Sequence, residues 1–187
     1  MKKDVIFKCL KYFSICFIIV IVIEIIDFIL FSTIIELNLG IYNLNIITLI
    51  FTSGFISVEA VLEWLILLAT ICGFLMFGIV LLIMSFKKKF EDTLLAKFII
   101  LIGMFFLISG LIKTFSIYFL ANCVIQYDST TIIFQTALYT GLITSPIGAV
   151  MWIYFLAVSV VVLTSGLIFG GVGLKSLLNT DLKSKGR

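Results

Sequence analysis

Histidine is absent from this chain of 187 residues. With it go the usual haem and copper ligand, most zinc sites and the commonest general base. Charge is scarce as well: 12% of the residues are Asp, Glu, Lys or Arg, against about a quarter in an ordinary soluble domain. Ten acidic and thirteen basic side chains are too few to cover the surface of a water-soluble fold of this size. The four cysteines, Cys9, Cys16, Cys72 and Cys123, form no C-x-x-C pair, and their scatter along the chain argues against an intrachain disulfide. The single proline, Pro146, gives no sign of the broken helices of secondary transporters. A glycine-rich phosphate loop and an acidic metal cluster are also missing. So is a basic groove interleaved with exposed aromatics, which nucleic acid would require. The expectation is a protein that is not an enzyme, with no cofactor, no metal and no nucleic-acid partner.

What the chain has in abundance is apolar surface, at 63% of residues, which identifies lipid as its solvent. A bilayer core is crossed by roughly 20 apolar residues in a helix, and four runs reach that length, at about 12–35, 60–84, 96–121 and 149–173. Peptide groups in lipid must be satisfied within the segment or in a closed barrel. Barrel strands are short and alternating, whereas these runs are long and apolar on all sides. The predicted fold class is an all-α membrane protein, a four-transmembrane-helix bundle forming one membrane domain over 1–187. The first run follows Lys2, Lys3, Lys8 and Lys11 but has no small-x-small cleavage site and is too long for a signal peptide, so it is expected to remain as an anchor.

Orientation follows from the lysines. Twelve of the thirteen basic residues lie at the start (Lys2, Lys3, Lys8, Lys11), around the connector at about 85–95 (Lys87, Lys88, Lys89, Lys97), or after the fourth run (Lys175, Lys183, Lys185, Arg187). The connectors at about 36–59 and 122–148 have none. The positive-inside rule then places both termini and the middle loop in the cytoplasm, in a multi-pass plasma-membrane protein. The two outer loops are long enough to carry structure. Alternation over Leu37–Ile41 and the β-branched, aromatic stretch Val124–Phe134 suggest a small extended cap or short interfacial helices, with 134–144 along the membrane surface and Pro146 and Gly148 as a break.

The thirteenth basic residue, Lys113, sits inside the third run, and Glu24 and Asp27 sit inside the first. An ionisable group at bilayer depth costs several kcal/mol and persists when paired, wetted or used. Counting outward from Lys11 and from Lys97 puts Asp27 and Lys113 at the same level, and the expected ion pair is Asp27–Lys113, with Glu24 as the surplus, protonated acid. Ser109, Gly110, Lys113 and Ser116 form one small polar stripe that should face protein. Glu59 and Glu63 lie near the outer interface, where solvation accounts for them. Gly166 and Gly170 form a GxxxG motif for helix packing, within the chain or against another subunit, and Gly173 is a candidate helix stop.

Four spans with both ends inside is a layout shared with claudin-like and tetraspanin proteins and with membrane thiol oxidoreductases, but the extracellular cysteine signatures of the first two and the paired outer-loop cysteines of the third are missing here. The functional expectation is an accessory or structural subunit of a larger membrane complex, partnered by the bilayer and by other membrane subunits or further copies. In that reading the acid–lysine cluster fixes helix packing. The alternative is a small ion- or proton-translocating protein that uses Glu24, Asp27 and Lys113.

Overall fold

The computed structural model describes residues 3–39, 42–51, 58–86, 92–127 and 130–185. Four helices in it are long and apolar enough to cross a membrane: α1 (Lys3–Ile34), α3 (Val58–Phe86), α4 (Asp92–Asn122) and α6 (Pro146–Lys185). Between α1 and α3 lie strands β1 (Glu36–Asn38) and β2 (Asn43–Asn45) and the short helix α2 (Ile46–Phe51). Between α4 and α6 lie β3 (Val124–Tyr127), β4 (Thr130–Ile133) and α5 (Phe134–Thr144). Lys2, Lys87, Lys88, Lys89 and Arg187, on which the expected orientation partly depends, lie outside the described residues, as do Gly40, Ile41 and 52–57 of the first outer loop.

Three of the long helices exceed the expected spans at both ends, and α1 exceeds its own at the start. α1 begins at Lys3 and not near 12, and α6 runs through Gly173 to Lys185, so Gly173 is no helix stop. Its close neighbours explain it: a Cβ at Gly173 would stand 2.8 Å from the Ile100 backbone nitrogen and 3.2 Å from the Ala96 carbonyl oxygen. The glycine therefore serves a helix crossing. Pro146 opens α6, where a missing N–H costs nothing, and the Ser145 hydroxyl oxygen caps the helix by accepting from the Gly148 N–H at 3.2 Å.

Contacts divide the chain into two compact units, and each long helix gives a stretch to both. One comprises 1–21, 73–111 and 159–187. Its core is a cluster of phenylalanines: Phe106 meets Phe17 edge-on at 5.0 Å and Phe77 at 5.4 Å, and Phe13 meets Phe169 at 4.8 Å. Here Gly103 of α4 meets α6 so closely that a Cβ on it would stand 2.8 Å from Gly170 Cα and 2.9 Å from the Gly166 carbonyl oxygen. The GxxxG pair thus packs inside the chain.

The other unit comprises 22–72 and 112–158 and contains the connecting elements. β1 and β2 form an antiparallel hairpin with Leu37 opposite Leu44, and β3 and β4 form a second with Val124 opposite Ile133. α5 occupies the stretch expected to be an interfacial segment. It meets the first hairpin at Gly141, where a side chain would strike the Glu36 carbonyl oxygen. Leu37, Leu39, Leu49, Ile125, Ala137 and Leu138 are all buried.

Burial recurs every three or four residues along the long helices. On α1 it falls at Phe7, Leu10, Ser14, Phe17, Ile21, Glu24, Phe28 and Phe31, and on α3 at Leu67, Ile71, Phe74, Gly78, Leu81 and Ser85. This is the seam of knobs-into-holes packing. The remaining faces expose large apolar side chains such as Leu101, Phe115, Ile153 and Leu167, which suits helices surrounded by acyl chains. Hydroxyls outside the seam are satisfied locally: Thr33, Thr70, Thr140 and Thr164 each donate to a carbonyl one turn back.

Candidate functional site

Glu24 and Lys113 are both fully buried, at 0% exposure, in the second of these units. Both occupy seam positions, which turns their side chains toward the neighbouring helices. The Lys113 ammonium donates to Glu24 Oε1 in a buried ion pair between α1 and α4. It also donates to the Phe155 carbonyl oxygen of α6 at 3.0 Å and lies 4.2 Å from the centroid of the Phe155 ring. An ammonium has three donors and no acceptor. One carboxylate oxygen, one carbonyl and one aromatic ring thus enclose it, and three helices meet on a single charge.

The pairing differs from the expectation, which gave Lys113 to Asp27. Counting from flanking lysines assumed that Lys11 and Lys97 sit at equal depth. Counting from the helix starts instead, Glu24 follows Lys3 by 21 residues and Lys113 follows Asp92 by 21. Seam position decides the rest: Glu24 falls on the buried repeat of α1, and Asp27 falls one residue before Phe28, at its edge. Asp27 is accordingly only partly buried. Its Oδ2 atom is itself enclosed and has no hydrogen-bond partner among the described residues, as is true of Glu24 Oε2.

Asp27 lines a cavity of about 20 Å³ with Phe28, Phe31, Trp64, Trp152 and Phe155; space of that size holds one water-sized group. Ser32, Ile46 and Phe134 also border it, so the first residues of α2 and α5 contribute to its wall. The Trp64 indole N–H donates to the Ser32 hydroxyl oxygen at 3.2 Å, fixing that ring against α1.

Of the stripe on α4, Gly110 and Ser116 are buried and Ser109 is half-buried. Gly110 belongs to the phenylalanine-rich unit, where a Cβ on it would meet Leu163 of α6 at 2.8 Å. Lys113 and Ser116 belong to the other unit. Glu59 is exposed and Glu63 half-buried near the start of α3. Among the described residues none of the cysteines Cys9, Cys16, Cys72 and Cys123 is joined in a disulfide. Among the described residues no three His, Cys, Asp or Glu side chains gather as a metal site would need.

Sequence reading missed Gly103, Ser32 and the aromatic wall. Gly103 had a readable signal, since it stands seven residues before Gly110 and so on nearly the same face of α4. The two tryptophans lacked one, because aromatic residues are everywhere in this chain and only the fold shows which share a cavity. No protein-family model, curated protein or solved structure matches the chain.

Proposed function

We propose that this chain is a non-enzymatic, multi-pass plasma-membrane protein that acts as an accessory or structural subunit of a larger membrane assembly. Both termini and the connector between α3 and α4 face the cytoplasm. The observation that carries this reading is the enclosure of Lys113. The most expensive group in the apolar part of the chain is consumed by Glu24, by the Phe155 carbonyl and by the Phe155 ring, so its charge braces three helices and is not left open to a passing ion or reactant. The exposed apolar faces of the long helices remain for acyl chains and for helices of neighbouring subunits. The want of histidine and of paired cysteines supports the non-enzymatic part. The positive-inside distribution of lysines supports the orientation.

The test is purification of the native protein in mild detergent. Recovery with unrelated membrane polypeptides in fixed ratio supports the subunit reading; recovery only as free chain or homo-oligomer contradicts it. A second reading, translocation of a proton or cation through Glu24, Asp27 and Lys113, is favoured by one observation, the enclosed Asp27 Oδ2 atom that no described residue serves. Reconstituted liposomes decide it. Dissipation of an imposed gradient that stops on Asp27→Asn supports translocation, and an unchanged gradient removes it.

A further inference from the structure

Helix α6 carries two seams on opposite sides. One is buried and includes Val162, Gly166 and Gly173, against which α4 closes. The other is exposed and runs through Val160, Thr164, Leu167, Gly171, Leu174 and Leu178. Their spacings are four, three, four, three and four, the 3.5-residue period of a coiled-coil seam. Large apolar residues at 160, 167 and 174 alternate with the small Thr164 and Gly171, which stand seven residues apart. Ala157, exposed as well, precedes Thr164 by seven more.

Acyl chains account for an exposed leucine but not for this seam as a whole. A glycine inside a helix is destabilising relative to alanine, and close backbone approach offsets that at Gly103 and Gly166. A Cβ on Gly171 would meet nothing within 4 Å, so its own chain offers no such contact. The seam also outruns the hydrocarbon. At 1.5 Å per residue the 40 residues of α6 extend about 60 Å, twice the roughly 30 Å of a bilayer core. Lys175, exposed and the first charged residue of the helix, marks the level at which lipid tails end. Leu178 lies beyond it on the seam and is 63% exposed.

We propose that this seam docks a second copy of the chain, α6 against α6, as a parallel left-handed pair. Copies inserted under the same rule share one orientation, so their α6 helices run parallel, and a two-fold axis along the membrane normal makes the contact isologous. In knobs-into-holes register, Leu167 of each copy enters a hole formed by Thr164, Leu167, Ile168 and Gly171 of the second copy, and Leu174 enters the next hole, which Gly171 and Leu178 of the second copy border. The missing side chain at 171 provides the room. One face thus supplies both knob and hole, which selects a second copy over an unlike helix. None of the six seam residues is charged, so no like charges meet along it. The inference rests on the membrane placement proposed above and not on the subunit role, since two copies can meet inside a larger assembly or apart from one.

Disulfide trapping in native membranes tests the pair, because a bridge forms only where two Cα atoms come within about 7 Å. In the full chain with Cys9, Cys16, Cys72 and Cys123 replaced by alanine, Thr164→Cys and Leu174→Cys are expected to give disulfide-linked dimers under mild oxidation. Val172→Cys, on a different exposed side of α6, and Leu101→Cys, exposed on α4, should give at least about tenfold less. Gly171→Leu, added to the Leu174→Cys chain, should cut the trapped dimer about tenfold by filling the hole. Its open surroundings within the chain should leave the helicity of the purified protein unchanged. Equal trapping at all four sites, the mark of random collision, overturns the proposal, and so does the absence of trapping at the seam in membrane-inserted protein. Trapping of the seam cysteines on another polypeptide rejects the second copy in favour of an unlike helix, and an undiminished dimer in the Gly171→Leu chain rejects the packing. If the Gly171→Leu chain does not accumulate, the four-site pattern decides alone: seam above controls supports the pair, and any other pattern rejects it. Recovery with unrelated polypeptides in fixed ratio, which tests the subunit reading, is a separate measurement, and either can fail without the other.

Discussion

Lys113 shows why a buried charge in an apolar protein behaves as a brace. Removing an ionised amine from water is expensive, and the cost is offset only when each of its donors is met. Glu24 Oε1, the Phe155 carbonyl and the Phe155 ring meet them. Lys113→Met is expected to strand the Glu24 carboxylate and destabilise the protein by about 3–5 kcal/mol, with Glu24→Gln costing a similar amount by stranding the lysine. The double variant should recover most of that loss, because neither member of the pair is left as an uncompensated charge. A double-mutant cycle on thermal or detergent unfolding measures this, and additive losses would mean that the two side chains act independently. At this scale the sequence was readable in part. It suggested that Glu24, Asp27 and Lys113 belong together, since no other Asp, Glu, Lys or Arg lies so deep in the apolar runs. It misassigned the partner because depth was counted from flanking lysines, whose long side chains reach an interface from a range of heights. The seam position that settles the matter is invisible where residues on every side are apolar.

Helix pairs in this protein are specified by small residues more than by hydrophobic pattern. Lipid tails are as apolar as leucine, so there is no oil-in, polar-out contrast to orient a helix, and close backbone approach carries the association. Gly103, Gly166 and Gly170 illustrate how sharply this acts. A methyl on Gly103 would meet Gly170 Cα at 2.8 Å, and one on Gly166 would meet the Leu107 backbone nitrogen at 2.8 Å, whereas one on Gly170 has nothing within 4 Å. Gly103→Ala and Gly166→Ala are therefore expected to cost about 1–3 kcal/mol each through forced separation of α4 and α6. Gly170→Ala should be close to neutral despite sharing the motif. Thermal unfolding of the three variants in one detergent checks the order, and equal losses would show that the motif, not the individual contact, sets the stability. A parallel expectation holds for the connecting elements. Gly141→Ala drives a methyl into the Glu36 carbonyl oxygen, and protease cleavage within 124–145 should quicken while the long helices stay intact. The connectors were more legible than the helix faces. Of the alternation expected over Leu37–Ile41, Leu37 and Asn38 fall in β1 while Gly40 and Ile41 lie outside the described residues; the β-branched run after Val124 holds β3 and β4, and the stretch from Phe134 is α5, because short strands and a proline break leave local signals.

For the molecule as a whole, apolar content and run length sufficed to read four long helices, since satisfying every peptide group inside lipid leaves so few solutions. Orientation rests on a separate physical effect, the retention of lysine- and arginine-rich segments on the cytoplasmic side during insertion. The two effects make independent demands, and labelling separates them. In a background with Cys9, Cys16, Cys72 and Cys123 replaced by serine or alanine, Gln135→Cys places a thiol on the exposed face of α5, and Asn179→Cys places one on the exposed face of α6 near its end. A membrane-impermeant thiol reagent added to intact cells should modify Gln135→Cys and spare Asn179→Cys, and permeabilising the membrane should expose the second. The reverse pattern would invert the orientation while leaving every helix in place. Labelling of both sites before permeabilisation would do more damage: it would put positions on the connector and on the α6 tail on one side of the bilayer, which a single crossing by α6 between them forbids. The lysine argument and the four-span argument therefore fail in different ways, and one pair of cysteines tells which of them has failed.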